Sequence, residues 1–163
     1  MSVYIGKDVA GNVEDYVDKE VQVQAAGVEL TLNIIRKFQG NGSLGFGNDK
    51  RHLPRTAVVE FDPNGSVWLE QGSYLVDLNE TVAIPADKVA IAIPRSSLLR
   101  MGVSLGTALW DPGYKGKGQV LLVVHNEYGV TLYKDTRLLQ LVYMDLNKES
   151  AELYNGQYQH AGL

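Results

Sequence analysis

Between Ser66 and Leu146 the chain is a succession of short apolar runs divided by turn signals, and this rhythm leaves little room for helix. "SVWLE", "YLVDL" and "TVAIP" follow one another, with "QGS" and "NE" read as the turns between them. "KVAIAIP" (Lys88 to Pro94) is a continuous apolar run suited to a buried strand. Further on come "QVLLVVHN", the turn "EYG", then "VTLY", the turn "KD" and "RLLQLVYMDL". Strands this short and this closely spaced predict a sandwich or barrel rather than alternating β and α units. The best helix candidate is "RSSLLRM" (Arg95 to Met101), introduced by Pro94, supplied with capping serines and closed by Gly102. It spans only about two turns, so tertiary contacts must hold it.

The chain has 163 residues, 45% of them hydrophobic and 21% charged, which suits one domain with a substantial core. No repeat and no linker divides it. The expected organisation is a single all-β domain over residues 1–153, followed by a flexible arm over 154–163, since "YNGQYQHAGL" has too little apolar content for a core of its own. "GNGSLGFGNDKRH" (Gly40 to His52) reads as a flexible loop.

Composition excludes several classes of function. No apolar run approaches the roughly 20 residues of a membrane-spanning helix, so no membrane partner is expected. The opening "MSVYIGKDVAGNVEDY" lacks the basic-then-apolar order of a secretory leader. There is no cysteine, hence no disulfide or thiolate chemistry, and a cytoplasmic location is expected. Net charge is −4 without a basic block, which disfavours nucleic acid polymers and leaves small phosphorylated ligands open. "GNGSLG" fits GxGxxG literally, but no helical pattern follows it, and "GYKGKG" lacks the outer Gly and the Ser or Thr of a P-loop. His52, His125 and His160 are isolated, so a divalent metal would have to be a hard one held by carboxylate, water and phosphate oxygens.

Four stretches remain. In "WDPGYKGKG" (Trp110 to Gly118), Pro112 and Gly113 make a turn, which accounts for neither Asp111 nor Tyr114. Lys115 and Lys117 read as solvated charges. "PRSSLLRMG" sets Arg95, Ser96 and Ser97 at a strand-to-helix junction, equally suited to an anion site and to an N-capped connector. Arg100, one turn on, is either a second phosphate cation or a solvated helix charge. Glu29 in "QAAGVELTLN" and Gln140 in "RLLQLVY" are polar interruptions of apolar strands, and each by itself fits an ordinary structural role.

Taken in order, "GVELTL", "PRSSLLRMGV", "GTALWDPGYKG", "RLLQLVY" and "YNGQYQ" resemble the trimeric dUTP diphosphatases and their sister branch, the dCTP deaminases, from Gln24 to Gln159. The resemblance implies a distorted jelly-roll barrel assembled as a homotrimer with shared active sites. It implies that Arg95, Ser96 and Ser97 bind phosphate, with Arg100 as a candidate second cation, and that Gln140 positions phosphate or water. Asp111 matches the residue that orients the attacking water, and Tyr114 matches a ring packed on deoxyribose. The backbone from Gly106 to Trp110 would read the base, with Trp110 in place of the usual small aliphatic. Tyr154, Tyr158 and Gln159 would belong to a closing arm. Glu29 stands where the diphosphatases carry an aspartate linked to Mg²⁺. Deaminases of the family carry a glutamate three residues before an asparagine in the strand after the hairpin. Counting back from Asn126 gives Val123, which cannot shuttle a proton. The implied reaction is therefore hydrolysis of dUTP to dUMP and pyrophosphate with Mg²⁺. The alternatives are a dCTP deaminase, mono- or bifunctional, and a non-catalytic nucleotide-binding barrel.

Overall fold

A computed structural model describes residues 2–163 and is built of ten strands. Eight of them form one sheet. Its path runs β6 (Lys88–Pro94), β10 (Arg137–Asp145), β2 (Val28–Gln39), β5 (Gly72–Ala83), β8 (Lys115–Val124) and β7 (Val103–Gly106). β1 (Val13–Glu14) joins β5, β3 (Arg55–Val59) joins β2, and β4 (Ser66–Leu69) pairs with β9 (Val130–Tyr133) in a separate two-stranded sheet. All of these pairings are antiparallel. The sheet curls until its two edges nearly meet. There Ala90 of β6 and Trp110, just beyond β7, exchange both backbone hydrogen bonds, at 3.1 and 3.0 Å. The all-β, barrel-like expectation is met.

The strands take their faces from period-2 alternation. In β8, Val120, Leu122 and Val124 point into the core, and Gln119, Leu121 and Val123 point away from it. The barrel interior is filled by side chains such as Leu30, Leu32, Val76, Leu78 and Leu141, none with measurable exposure. The helices are single turns. α1 (Gly6–Val9) and α2 (Lys19–Gln22) lie in an N-terminal segment where no helix was expected, and α3 (Ser96–Arg100) occupies the expected junction. Gly102 ends α3 with a φ of 76°, the left-handed conformation that glycine adopts without penalty.

One sequence expectation is corrected here. "NE" (Asn79, Glu80) is not a turn between two strands: "YLVDL" and "TVAI" belong to the single strand β5. The register with β8 shifts between Asp77 and Thr81, and the irregularity turns both polar side chains toward β2. Glu80 is fully buried and accepts hydrogen bonds from Thr31 N (2.8 Å), Thr31 Oγ1 (2.6 Å) and Gln22 Nε2 (2.7 Å). Asn79 donates to Thr31 Oγ1, the Leu32 carbonyl and Asp135. Burial pushes the Glu80 carboxyl above its ordinary range, with the donors from Thr31 and Gln22 opposing the shift. Gln22 is satisfied in turn, donating to the Glu29 carbonyl at 2.9 Å and accepting from Asp18 N at 2.8 Å.

Glu80→Ala would strip the Thr31 amide and the Gln22 amide of their buried acceptor. We expect a loss of about 2–4 kcal/mol in folding stability, read as a lower urea midpoint at unchanged slope.

Candidate active site

The segment after the barrel seam is a tight turn whose chemistry follows from its residues. Tyr114 N donates to the Asp111 carbonyl at 3.1 Å, with Pro112 and Gly113 at the two central positions. Gly113 has a φ of 83°, as a turn with Pro first and Gly second requires. Hydrogen bonds of 2.8 Å from Gly113 N to Ile84 O and from Ile84 N to Tyr114 O tie the turn to the chain leaving β5. Trp110 is buried and packs over Gly118, where a Cβ would come within 3.2 Å of the indole. The indole therefore forms part of the support beneath the hairpin as well as part of the cavity wall.

A cavity of about 540 Å³ opens beside this turn. Asp111 and Tyr114 border it together with Trp110, Phe38, Leu75 and Gln119. Asp111 is half-buried at its rim. The Tyr114 hydroxyl donates to the Lys117 carbonyl at 3.2 Å, and burial raises its pKa, so the ring stays a neutral phenol. Lys115 and Lys117 are engaged rather than simply solvated. Lys115 pairs with Glu14 at 2.9 Å, and Lys117 donates to the Asn79 carbonyl at 2.6 Å and lies 3.4 Å from Asp15.

The last residues fold back over this turn. Tyr154 meets the Tyr114 ring edge to face at 5.5 Å, and its N–H donates to the Pro112 carbonyl at 2.8 Å. The Gln159 side chain bridges the hairpin backbone, accepting from Lys115 N and donating to Gly113 O, both at 2.9 Å. Tyr158 and Ala161 complete the cavity wall, and Gln157 is held by Arg51 from the β2–β3 loop.

A second polar cluster lies on β6, β10 and β2. The register sets Ile93, Gln140 and Glu29 side by side across these strands. Glu29 is 5% exposed, and its two oxygens face two guanidinium groups: Arg95 Nε at 2.6 Å from one and Arg137 Nη1 at 2.7 Å from the other. Arg137 and Gln140 are three residues apart and would point to opposite faces of a regular strand. The register shift between Arg137 and Leu139 brings both to the Glu29 side. Gln140 donates to the Ala26 carbonyl. Ser96 and Ser97 are exposed at the start of α3 and make no capping bond. Arg100 uses one donor on the Ser96 carbonyl, at 3.1 Å.

The residues singled out from the sequence thus form two groups. Asp111, Tyr114 and Trp110 share the cavity with Tyr154 and Tyr158, and Gln159 braces the turn beneath. Arg95, Ser96, Ser97, Arg100, Gln140, Glu29 and Gly106 do not line it. Gly106 ends β7 opposite Leu121, so only residues 108–110 of the expected base-reading segment reach the cavity. The metal role expected of Glu29 does not fit. Both of its oxygens are committed to guanidinium groups, and among the described residues no three His, Cys, Asp or Glu converge. Arg137 escaped the sequence reading, because a strand register shift leaves no mark in the spacing of side chains.

The outward face of β8 carries Gln119, Leu121 and Val123, so a shift of two residues in hairpin alignment still finds no carboxylate there.

Residues 6–146 match the model of the family described as dCTP deaminase-like. A "Probable deoxyuridine 5'-triphosphate nucleotidohydrolase" of Methanococcoides burtonii is 44% identical over 93% of this chain and 89% of its own length. The "Deoxyuridine 5'-triphosphate nucleotidohydrolase" of Methanocaldococcus jannaschii is 35% identical over 95% of this chain and 97% of its own. Among solved structures, a 2'-deoxycytidine 5'-triphosphate deaminase from Agrobacterium tumefaciens superposes with a TM-score of 0.65 over 86% of this chain. This chain spans 46% of that protein's length at 22% identity, a likeness of fold. With its barrel, its Asp-Pro-Gly-Tyr turn and these relatives, the chain belongs to the dCTP deaminase-like family.

Proposed function

We propose that this chain hydrolyses dUTP to dUMP and pyrophosphate. The observation that carries the reading is the pairing of Asp111 with Tyr114 at one cavity whose neighbouring strand has no carboxylate to serve a deamination. Full-length relatives named as deoxyuridine 5'-triphosphate nucleotidohydrolases support the same substrate.

In this reading a water held by the Asp111 carboxylate attacks the α-phosphorus. The new P–O bond forms as the bond to the α,β-bridging oxygen breaks. The water proton passes to Asp111, and pyrophosphate leaves on the opposite side. The Tyr114 ring packs against the sugar and leaves no room for a 2′-hydroxyl. Arg95, assisted by Ser96, Ser97, Arg100 and Gln140, meets the phosphates. Mg²⁺ arrives as the chelate of the triphosphate, since the described residues build no resident site for it. The phosphate-binding residues lie outside the Asp111 cavity of their own chain, and this supports a homotrimer in which a neighbouring copy completes each site. The segment from Tyr154 onward acts as a lid that opens to admit nucleotide.

The direct test is incubation with dUTP or dCTP and Mg²⁺, following pyrophosphate and base identity together. Pyrophosphate should appear from dUTP alone, and conversion of dCTP to dUTP would overturn the assignment.

Asp111→Asn keeps the shape and hydrogen-bonding reach of the side chain but accepts no proton. It should lower kcat by a factor of about 10² to 10⁴ while KM changes little. Arg95→Ala should show the opposite balance, with nucleotide binding weakened most.

Truncation before Tyr154 should reduce turnover far more than thermal stability, and sedimentation of the intact protein should give a trimer. An active monomer in dilute solution would contradict the shared site.

A further inference from the structure

Glu29 is a carboxylate almost wholly removed from water, and an ion so placed persists only when its charge is met by partners. Its partners are two cations from different strands, one on each oxygen. Arg95 stands at the end of β6, where its N–H donates to the Leu138 carbonyl at 2.9 Å. Arg137 stands at the start of β10, aimed by the register shift that follows it. Each arginine side chain keeps about a third of its surface exposed, 31% and 32%. Arg95 meets Glu29 through Nε, and among the described residues its side chain makes no other hydrogen bond, so both terminal nitrogens are unspent. The backbone that carries Glu29 is anchored as well: its main-chain carbonyl accepts from the Gln22 side chain, which also holds Glu80.

We infer that Glu29 is a positioning residue, not a metal ligand: its carboxylate clamps Arg95 against Arg137 so that the free edge of the Arg95 guanidinium is presented to the phosphate chain. Three physical consequences follow. Two guanidinium groups without the carboxylate between them repel each other, so the pose of Arg95 depends on the charge of Glu29 and not only on its volume. A guanidinium held by Nε keeps its two terminal nitrogens as a planar pair, the geometry that binds phosphate oxygens bidentately. The cluster carries two positive charges against one negative, so it attracts an anion and repels a free divalent cation. Arg137 completes the clamp from the second oxygen, which makes it a positioning residue as well. The inference rests on the reading of this chain as a triphosphate-binding enzyme and concerns how that binding is built.

The test uses the full chain and its variants Glu29→Gln, Glu29→Asp and Arg137→Gln. It measures affinity for the non-hydrolysable analogue α,β-imido-dUTP with excess Mg²⁺, affinity for deoxyuridine, and binding of Mn²⁺ without nucleotide. Loss of one ionic clamp should weaken the analogue by about 10- to 100-fold in Glu29→Gln and in Arg137→Gln, while deoxyuridine affinity stays within about 2-fold. Glu29→Asp, which keeps the charge, should recover part of the loss. Mn²⁺ binding without nucleotide should be the same in Glu29→Gln as in the parent. A Mn²⁺ site that disappears in Glu29→Gln would make Glu29 a metal ligand and overturn the inference. Equal loss of analogue and deoxyuridine would reduce the cluster to a structural role, and full analogue affinity in Arg137→Gln would remove the clamp. If the parent chain binds deoxyuridine but not the analogue, the triphosphate reading fails and the inference with it, an outcome separable from all the others by the parent alone.

Discussion

The buried carboxylate of Glu80 fixes the start of β2, and the Glu29 cluster is built beside it. β2 pairs with three other strands, β10, β5 and β3, as β5 also does with β1, β2 and β8. A carboxylate with no exposure is tolerated only where donors replace its hydration, and Glu80 has three, from Thr31 and Gln22. Those donors hold β2 at Thr31 and draw α2 against it, so Glu29 two residues earlier has a backbone that cannot slide. Strand register is otherwise pinned only by the inward apolar set, and a slip of one residue would send Glu29 into the core.

The second constraint is the seam where the sheet nearly closes. Ala90 and Trp110 exchange paired hydrogen bonds, and Asp111 is the next residue. The Asp-Pro-Gly-Tyr turn is braced by Ile84 on one side and by the Gln159 amide on the other. The Ile84 bonds by themselves tie the turn to the barrel wall, so Asp111 sits on a braced rim. The arm that covers the turn meets it through the Tyr154–Tyr114 contact, backbone hydrogen bonds and the two Gln159 side-chain bonds.

Electrostatically the two groups differ in kind. At the turn one acid, Asp111, shares the cavity with apolar side chains, the neutral Tyr114 phenol, Gln119 and Lys117. On β6 and β10 the acid is outnumbered by arginines, a setting for holding an anion. The two groups lie apart on one chain, and Arg95, Gln140 and Glu29 do not line the Asp111 cavity.

Much of this was legible in the residues. Apolar runs and turn signals place β4, β6, β9 and β10 within a residue or so, because turn residues bound each apolar run. Pro112 and Gly113 specify their turn through backbone sterics alone, and Gly102 likewise ends α3. The family resemblance, carried by the same motifs, named Asp111, Tyr114, Arg95 and Gln140. The tertiary structure decided the rest. "NE" has the composition of a turn, and only the donors waiting on β2 and α2 make it part of a strand with Glu80 inside. Glu29 reads in the sequence as a lone acid in an apolar strand, and only the register shift between Arg137 and Leu139 brings Arg137 to it. Local sequence carries backbone preference and hydrophobic period, both of which act over a few residues. The partner of a buried charge is set by which strands lie side by side, and that is a property of the closed sheet.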